Sequence, residues 1–146
     1  MAQLSRKQIR RALADILRTI PQLQATYHYK PHSFQSQSPV VYITSSGSFP
    51  VALTGRGFTG PVYVNLHICT LYATAAGEQF IYTEEAAEDT MDDIEAEIRN
   101  ALKDKRRVDA LWQGLKWSQR SSADNPLIVD GDLYLHELIP LELEVL

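Results

Sequence analysis

VYVNLHICTLYA, residues 62–73, carries the longest strand signal in the chain. Val62, Val64, Leu66 and Ile68 alternate with Tyr63, Asn65, His67 and Cys69, so one side is aliphatic and the other mixed. That period of two predicts a strand whose faces meet different surroundings. Two shorter runs rich in β-branched and aromatic residues precede it, ATYHY (25–29) and PVVYITS (39–45), with PHSFQSQS (31–38) between them as a loop. Downstream, ATAAGEQ (73–79) turns the chain into a short strand, FIYT (80–83). The chain closes with LIVDGDLYLHELIPLELEVL (127–146), read as strand, Asp-Gly turn and strand. Pro140 interrupts that last strand and predicts a bulge or a bare edge.

Helical patterns flank these strands. Ser5 and Gln8 have the spacing of a capping box, with Leu4 and Ile9 at the staple positions. Ile9, Ala12, Leu13, Ile16, Leu17 and Ile20 then form one apolar stripe that Pro21 ends. The outer side of this helix carries Arg6, Lys7, Arg10, Arg11 and Arg18, opposed only by Asp15. A second helix starts near Thr83 or Glu84, with Ala87, Met91, Ile94, Ile98, Ala101 and Leu102 as its buried stripe. After the polar break KDKRR, the spacing of Val108, Leu111, Trp112 and Leu115 predicts a further short helix, and SQRSSADNP (118–126) a loop. The order of elements predicts one domain over 1–146, of the α+β class. It would be a mainly antiparallel sheet flanked by an N-terminal helix and a central acidic helix, with a long loop between strands.

That long loop, SSGSFPVALTGRGFTGP (45–61), contains GRGFTG, which matches the spacing G-x-G-x-x-G. A dinucleotide site needs a strand before these glycines and a helix opening directly after them, so that the helix N-terminus faces the phosphates. Here Pro61 and a strand follow, so the cofactor reading fails on context and no cofactor is expected. A connection of this length in a small domain is uncommon and often functional. It carries Phe49, Val51, Leu53 and Phe58, which suggests a partner surface. The alternatives are that these side chains fold back on the core, or that FPVALTG is a short extra strand.

Composition narrows the function classes. The 146 residues are 45% hydrophobic and 22% charged, with a net charge of −4, which argues against whole-protein attraction to nucleic acid. A single cysteine, Cys69, allows neither an internal disulfide nor a cysteine zinc site and fits an intracellular origin. The N-terminus lacks the apolar centre of a signal peptide, and no apolar run reaches the roughly 20 residues that span a bilayer, so no membrane partner is expected. His28, His32, His67 and His136 include no i, i+4 helical pair, and metal binding would require tertiary proximity. No nucleophile motif indicates an enzyme.

Charge is segregated. The second helix holds Glu84, Glu85, Glu88, Asp89, Asp92, Asp93, Glu95 and Glu97 with no cation among them. Glu84 and Glu85 suit the positive end of a helix, but like charges at i, i+4 cost roughly 0.3 kcal/mol per pair, so another selection is expected to hold the rest. Spread along one exposed face, these acids do not converge as metal or paired-carboxylate chemistry requires. Basic residues concentrate on helix 1 and over 99–120. Such segregation suits a subunit whose basic face meets the acidic face of a copy of itself.

Taken in order, LSRKQIRRALADILRTIP, TYHYKP, PVVYITSSGS, VYVNLHICTLY, YTEEAAEDTMDDIEAEIRNAL and IVDGDLYLHELIPLELEV resemble the tail terminator proteins of long-tailed bacteriophages, over nearly the whole chain. The resemblance implies a structural virion protein of the tail and neck, assembled in the host cytoplasm. It implies a six-membered ring that caps the tail tube, ends its polymerisation and joins it to a head-side connector or neck protein. Genomic DNA would pass through the channel without specific binding. The family has no catalytic residues to transfer. In this reading Arg6, Lys7, Arg10, Arg11, Phe49, Val51, Leu53 and Phe58 are candidates for a subunit or tube interface. The acids of the second helix are candidates for a lumen or inter-subunit face. The alternatives are another head–tail joining or tail-completion protein and, more distantly, a small metal- or nucleic-acid-binding accessory protein.

Overall fold

The computed structural model describes residues 5–48, 52–54, 57–74, 79–80, 84–108 and 111–145. Its centre is β5 (Pro61–Thr74), the strand the alternating pattern predicts. β2 (Val40–Ser48) pairs with one edge of β5 and β9 (Asp132–Val145) with the other, both antiparallel. β1 (Ala25–Tyr27) adds to β2 in parallel, and β7 (Trp112–Trp117) adds to β9. With β6 (Gln79–Phe80) on the end of β5 and β8 (Ser122–Val129) on the first half of β9, the sheet has seven strands. Among the described strands only the β1–β2 pair is parallel, so the fold is α+β with a mainly antiparallel sheet, as expected.

Two helices cover one face. In α1 (Arg6–Leu17), the Ser5 hydroxyl accepts from the Gln8 backbone N–H while the Gln8 side chain accepts from the Ser5 N–H, the full capping box. Ile9, Leu13, Ala14 and Leu17 are buried against the sheet. In α2 (Glu84–Lys103), Ala87, Met91, Ile94, Ile98 and Leu102 are buried, at the predicted spacing. They meet Val41, Ile43, Val64, Leu66, Ile68, Ile139, Leu141 and Leu143 in the main core. The opposite face of the sheet has a smaller core of its own. Phe34, on the connection before β2, closes over Val40, Tyr42, Cys69, Leu71 and Tyr134.

Three segments differ from the sequence reading. The short helix expected around Val108, Leu111, Trp112 and Leu115 is instead a turn leading into β7. A bulge between Trp112 and Gly114 shifts the register, so Trp112 and Leu115 both reach the core although they are three apart. A bulge of this kind imitates helical spacing in sequence. Second, the loop expected over 118–126 gives way to β8 at Ser122; β8 is largely exposed and so lacks an alternating pattern. Pro126 falls within the β8 register shift between Asp124 and Leu127, where a missing donor is tolerated. Third, part of the long connection is ordered as strand. β2 runs to Ser48 through a bulge at Gly47, whose φ of 136° suits glycine. β3 (Ala52–Thr54) and β4 (Gly57–Thr59) pair as a separate two-stranded sheet, the alternative reading of FPVALTG.

The turn and the last strand follow the expected plan, but the bulge expected at Pro140 is absent: β9 is continuous and its pairing with β5 keeps register through Pro140. Asp130 (φ 53°) and Gly131 (φ 79°) form a two-residue turn with both central residues left-handed, the type I′ pattern, and Val129 pairs with Asp132. Pro140 lies where β9 changes neighbour on one edge, between the β8 pair Ser122–Leu138 and the β7 pair Trp117–Leu141. Its carbonyl accepts from the Ser118 N–H at 3.0 Å, on the edge where a proline nitrogen leaves no donor to satisfy.

Candidate functional site

Among the eight interface candidates, the structure separates Arg10 from its neighbours. Arg6, Lys7 and Arg11 are exposed on α1. Arg10 is half-buried: its Nε donates to the His28 carbonyl at 2.9 Å and its guanidinium also bonds the Ser45 hydroxyl. It ties α1 to the chain after β1 and to β2, and is a structural cation rather than a free contact residue. In β3 and β4, Leu53 and Phe58 are direct backbone partners across the hairpin. Phe49 and Val51 lie outside the described residues.

Along α2 the acids divide in the same way. Glu84 is the first residue of the helix; Glu85, Glu88, Asp89, Asp92 and Asp93 are exposed. Glu95 and Glu97 are half-buried. The Glu95 side chain is only 16% exposed and accepts from Arg99 at 2.8 Å, while the Arg99 guanidinium lies 5.5 Å from the centre of the Trp117 ring. α1 and α2 pack against each other on the same face of the sheet. The basic and acidic surfaces are thus neighbours in one helical layer.

Two polar clusters escaped the sequence reading. The first crosses the open face. Thr44 Oγ1 lies 2.9 Å from His67 Nε2, and His67 Nδ1 lies 2.8 Å from His136 Nε2. The Asp124 carboxylate lies 3.7 Å from the other His136 nitrogen. Tyr42 stacks on His67 with ring centres 4.3 Å apart, and His67 on His136 at 5.0 Å. An N–H of one imidazole must point at the bare nitrogen of the other, so the contact holds with one proton between them and is broken by a second. Burial lowers the His67 pKa to about 4, and the neighbouring His136 adds to the effect. Burial also lowers His136, against the pull of Asp124. Hydroxyl, imidazole, imidazole and carboxylate stand in the order of a nucleophile relay. A groove of about 510 Å3 nearby is lined by Ser46, Asn65 and Lys116 but not by Thr44, so it does not bring a substrate to that hydroxyl.

The second cluster lies between α2 and β9. Glu137 pairs across the sheet with Ile68 and shares its helix-facing side. The Glu137 pKa rises to about 7 because of burial first and then the charge of Glu95 on α2, whose Oε1 lies 3.5 Å from the Ser121 hydroxyl. A signal for it exists in the sequence: Leu135, Glu137, Ile139, Leu141, Leu143 and Val145 alternate on the core side, and Glu137 is the one charged member of that series. Its partner has no such signal, because Glu95 reads as one more exposed acid on α2.

Elsewhere on the sheet, Lys116 and Glu142 pair at 3.0 Å on adjacent strands, which lowers the Glu142 pKa and raises that of Lys116. Among the described residues, no group of three or more His, Cys, Asp or Glu side chains is arranged to hold a metal ion. Among the same residues, no helix is long and apolar enough to cross a membrane. No family model and no curated protein matches the chain.

Proposed function

We propose that the chain is a structural virion protein, a tail terminator that caps the tail tube of a long-tailed bacteriophage as a ring of six copies. It ends tail polymerisation and joins the tail to the head-side neck. Its partners are further copies of itself, the tail tube protein and a connector or neck protein, while genomic DNA crosses the ring without specific binding. It works by assembly rather than catalysis.

The observation that carries this reading is the β3–β4 hairpin, a two-stranded sheet whose strands pair with each other and not with the seven-stranded sheet. A lone two-stranded hairpin is marginal in water, so a second surface that covers it is stabilising. Leu53 and Phe58 are backbone partners in that hairpin. A second support is the helical layer. Its α1 surface presents Arg6, Lys7 and Arg11, and its α2 surface presents five exposed acids, Glu85, Glu88, Asp89, Asp92 and Asp93. Complementary patches on one subunit, repeated head to tail, close a ring when the rotation between copies allows.

Native mass across concentration, with particle images, tests the proposal. A ring of six copies of the 16.5 kDa chain has a mass of about 100 kDa and a central hole. In a phage lacking the protein, overlong or headless tails are expected. Complete tails beside DNA-leaking heads would instead assign it to the head-side stopper. No self-association in solution and none on purified tail tubes would falsify the proposal.

A further inference from the structure

The open face of the sheet divides in two. Phe34 closes over one half. On the other half, grooves of about 510 and 440 Å3 run together across β5, β9 and β7, since Lys116 and Glu142 line both. Strand pairing sets these side chains on one face: Tyr63 lies opposite Glu142, and Glu142 opposite Lys116. Arg120 stands in one groove, and Arg106 and Arg107 stand in the other. With Lys116 they outnumber the carboxylates Glu142 and Glu144, and Lys116 already holds Glu142 at 3.0 Å. All four cations are exposed. The surface is thus cationic in a chain of net charge −4.

The exposed acids of α2 lie across the sheet from it. Glu85, Glu88, Asp89, Asp92 and Asp93 recur at spacings of three and four, which align them in one stripe. At about 1.5 Å per residue the stripe is about 12 Å long. From Leu138 to Glu144 the grooves follow β9 for about 20 Å, at roughly 3.3 Å per residue, enough to seat it. The buried side of α2 is packed on the helical face of the sheet. Its acids therefore cannot reach the grooves of their own chain, and a second copy brings the two surfaces together.

We infer that the grooves across β5, β9 and β7 receive the acidic stripe of α2 from a second copy of this chain. The inference rests on the proposed ring and locates its head-to-tail contact. The two surfaces differ and lie on opposite sides of one sheet, so their pairing is heterologous. Each copy gives its α2 to one neighbour and receives α2 from the other, and such a series closes into a ring when the rotation allows. Charge complementarity fixes the orientation of docking and excludes a groove from facing another groove.

Native mass across concentration tests the contact. Arg106→Glu with Arg120→Glu reverses two groove cations, and Glu85→Lys with Asp89→Lys reverses two acids of the stripe; all four positions are exposed. Each double change is expected to raise the concentration needed for assembly about tenfold or more, and the four changes together to bring it back towards that of the unmodified protein. Assembly of the Arg106→Glu, Arg120→Glu protein at the unmodified concentration overturns the contact and leaves the ring standing. A unmodified protein that stays monomeric both in solution and on purified tail tubes overturns both. If the variants do not fold, carbodiimide cross-linking of the unmodified chain decides. It joins an amine to a carboxylate in contact, and a link from Lys116 to Glu85, Glu88 or Asp89 can form only between copies. That link is expected; links from those acids to Lys7 of α1 alone overturn the contact.

Discussion

His136 and Glu137 are neighbours in sequence and belong to opposite sides of the sheet. His136 faces the open side, where it and His67 share one proton and burial favours the neutral rings. Glu137 faces the helical side, where burial first and the charge of Glu95 next favour the neutral acid. The alternation of a strand sends adjacent residues towards opposite faces, although both border one cavity of about 260 Å3 at the β8 end of α2. The same cause, desolvation of charge, then acts with opposite sign on pH dependence. The histidine side loses stability towards acid and the carboxyl side towards neutrality, so the two slopes oppose each other between about pH 4 and 7.

The comparison rests first on both sides being true cores. Leu66 on the helical side and Phe34 on the open side are each buried, Phe34 to 1% exposure. Leu66→Ala and Phe34→Ala are each expected to cost about 3 kcal/mol or more by chemical denaturation. A cost below about 1 kcal/mol for Phe34 would break the symmetry, leaving the open side a loop that merely lies on the strands.

A smaller effect separates cations that look alike in sequence. Arg10→Ala is expected to destabilise by about 2 kcal/mol, because it deprives the His28 carbonyl and Ser45 of a charged donor. Arg11→Ala is expected to change folding by less than about 0.5 kcal/mol, since its side chain is exposed. Any effect of Arg11→Ala then belongs to assembly, read as native mass or tube capping. A loss of folding stability in Arg11→Ala as large as that in Arg10→Ala would remove the distinction.

The histidine side gives the next expected effect. The His67 pKa is depressed to about 4 from 6.5, so as pH falls the unfolded chain takes up the proton first. Stability is therefore present above about pH 6.5 and is lost as pH falls towards about 4. The expected loss is about 1–2 kcal/mol after allowance for partial solvent screening. Denaturation midpoints across that window, compared between the unmodified protein and His67→Gln, measure it. Equal slopes in the two proteins would show that the imidazole pair does not titrate as a unit. The smallest effect is expected on β8: Ile128 is 62% exposed, and Ile128→Thr is expected to stay within about 0.5 kcal/mol.

Local chemistry made a large part of the fold legible. The capping box at Ser5 and Gln8, the two helical stripes, the alternation through β5 and the Asp130-Gly131 turn each depend on residues within a few positions of one another. A sequence displays such relations directly. β7 shows the limit of that reading, because a bulge at Trp112–Gly114 gave a strand the spacing of a helix. A bulge exists only by reference to the partner strand β9, which lies some 30 residues away.

The same division applies to the candidate sites. The crowding of acids on α2, the crowding of cations on α1 and the break that Glu137 makes in an apolar series are all legible in the sequence. Packing of the layers is what ties Arg10 to His28 and Ser45, brings His67 to His136 and buries Glu137 within reach of the charge of Glu95. Each of those contacts joins groups far apart in the chain, and its energy depends on the water removed when the layers close. Desolvation is a property of the packed sheet and helices rather than of any one segment, so proton placement becomes readable only after the fold is formed.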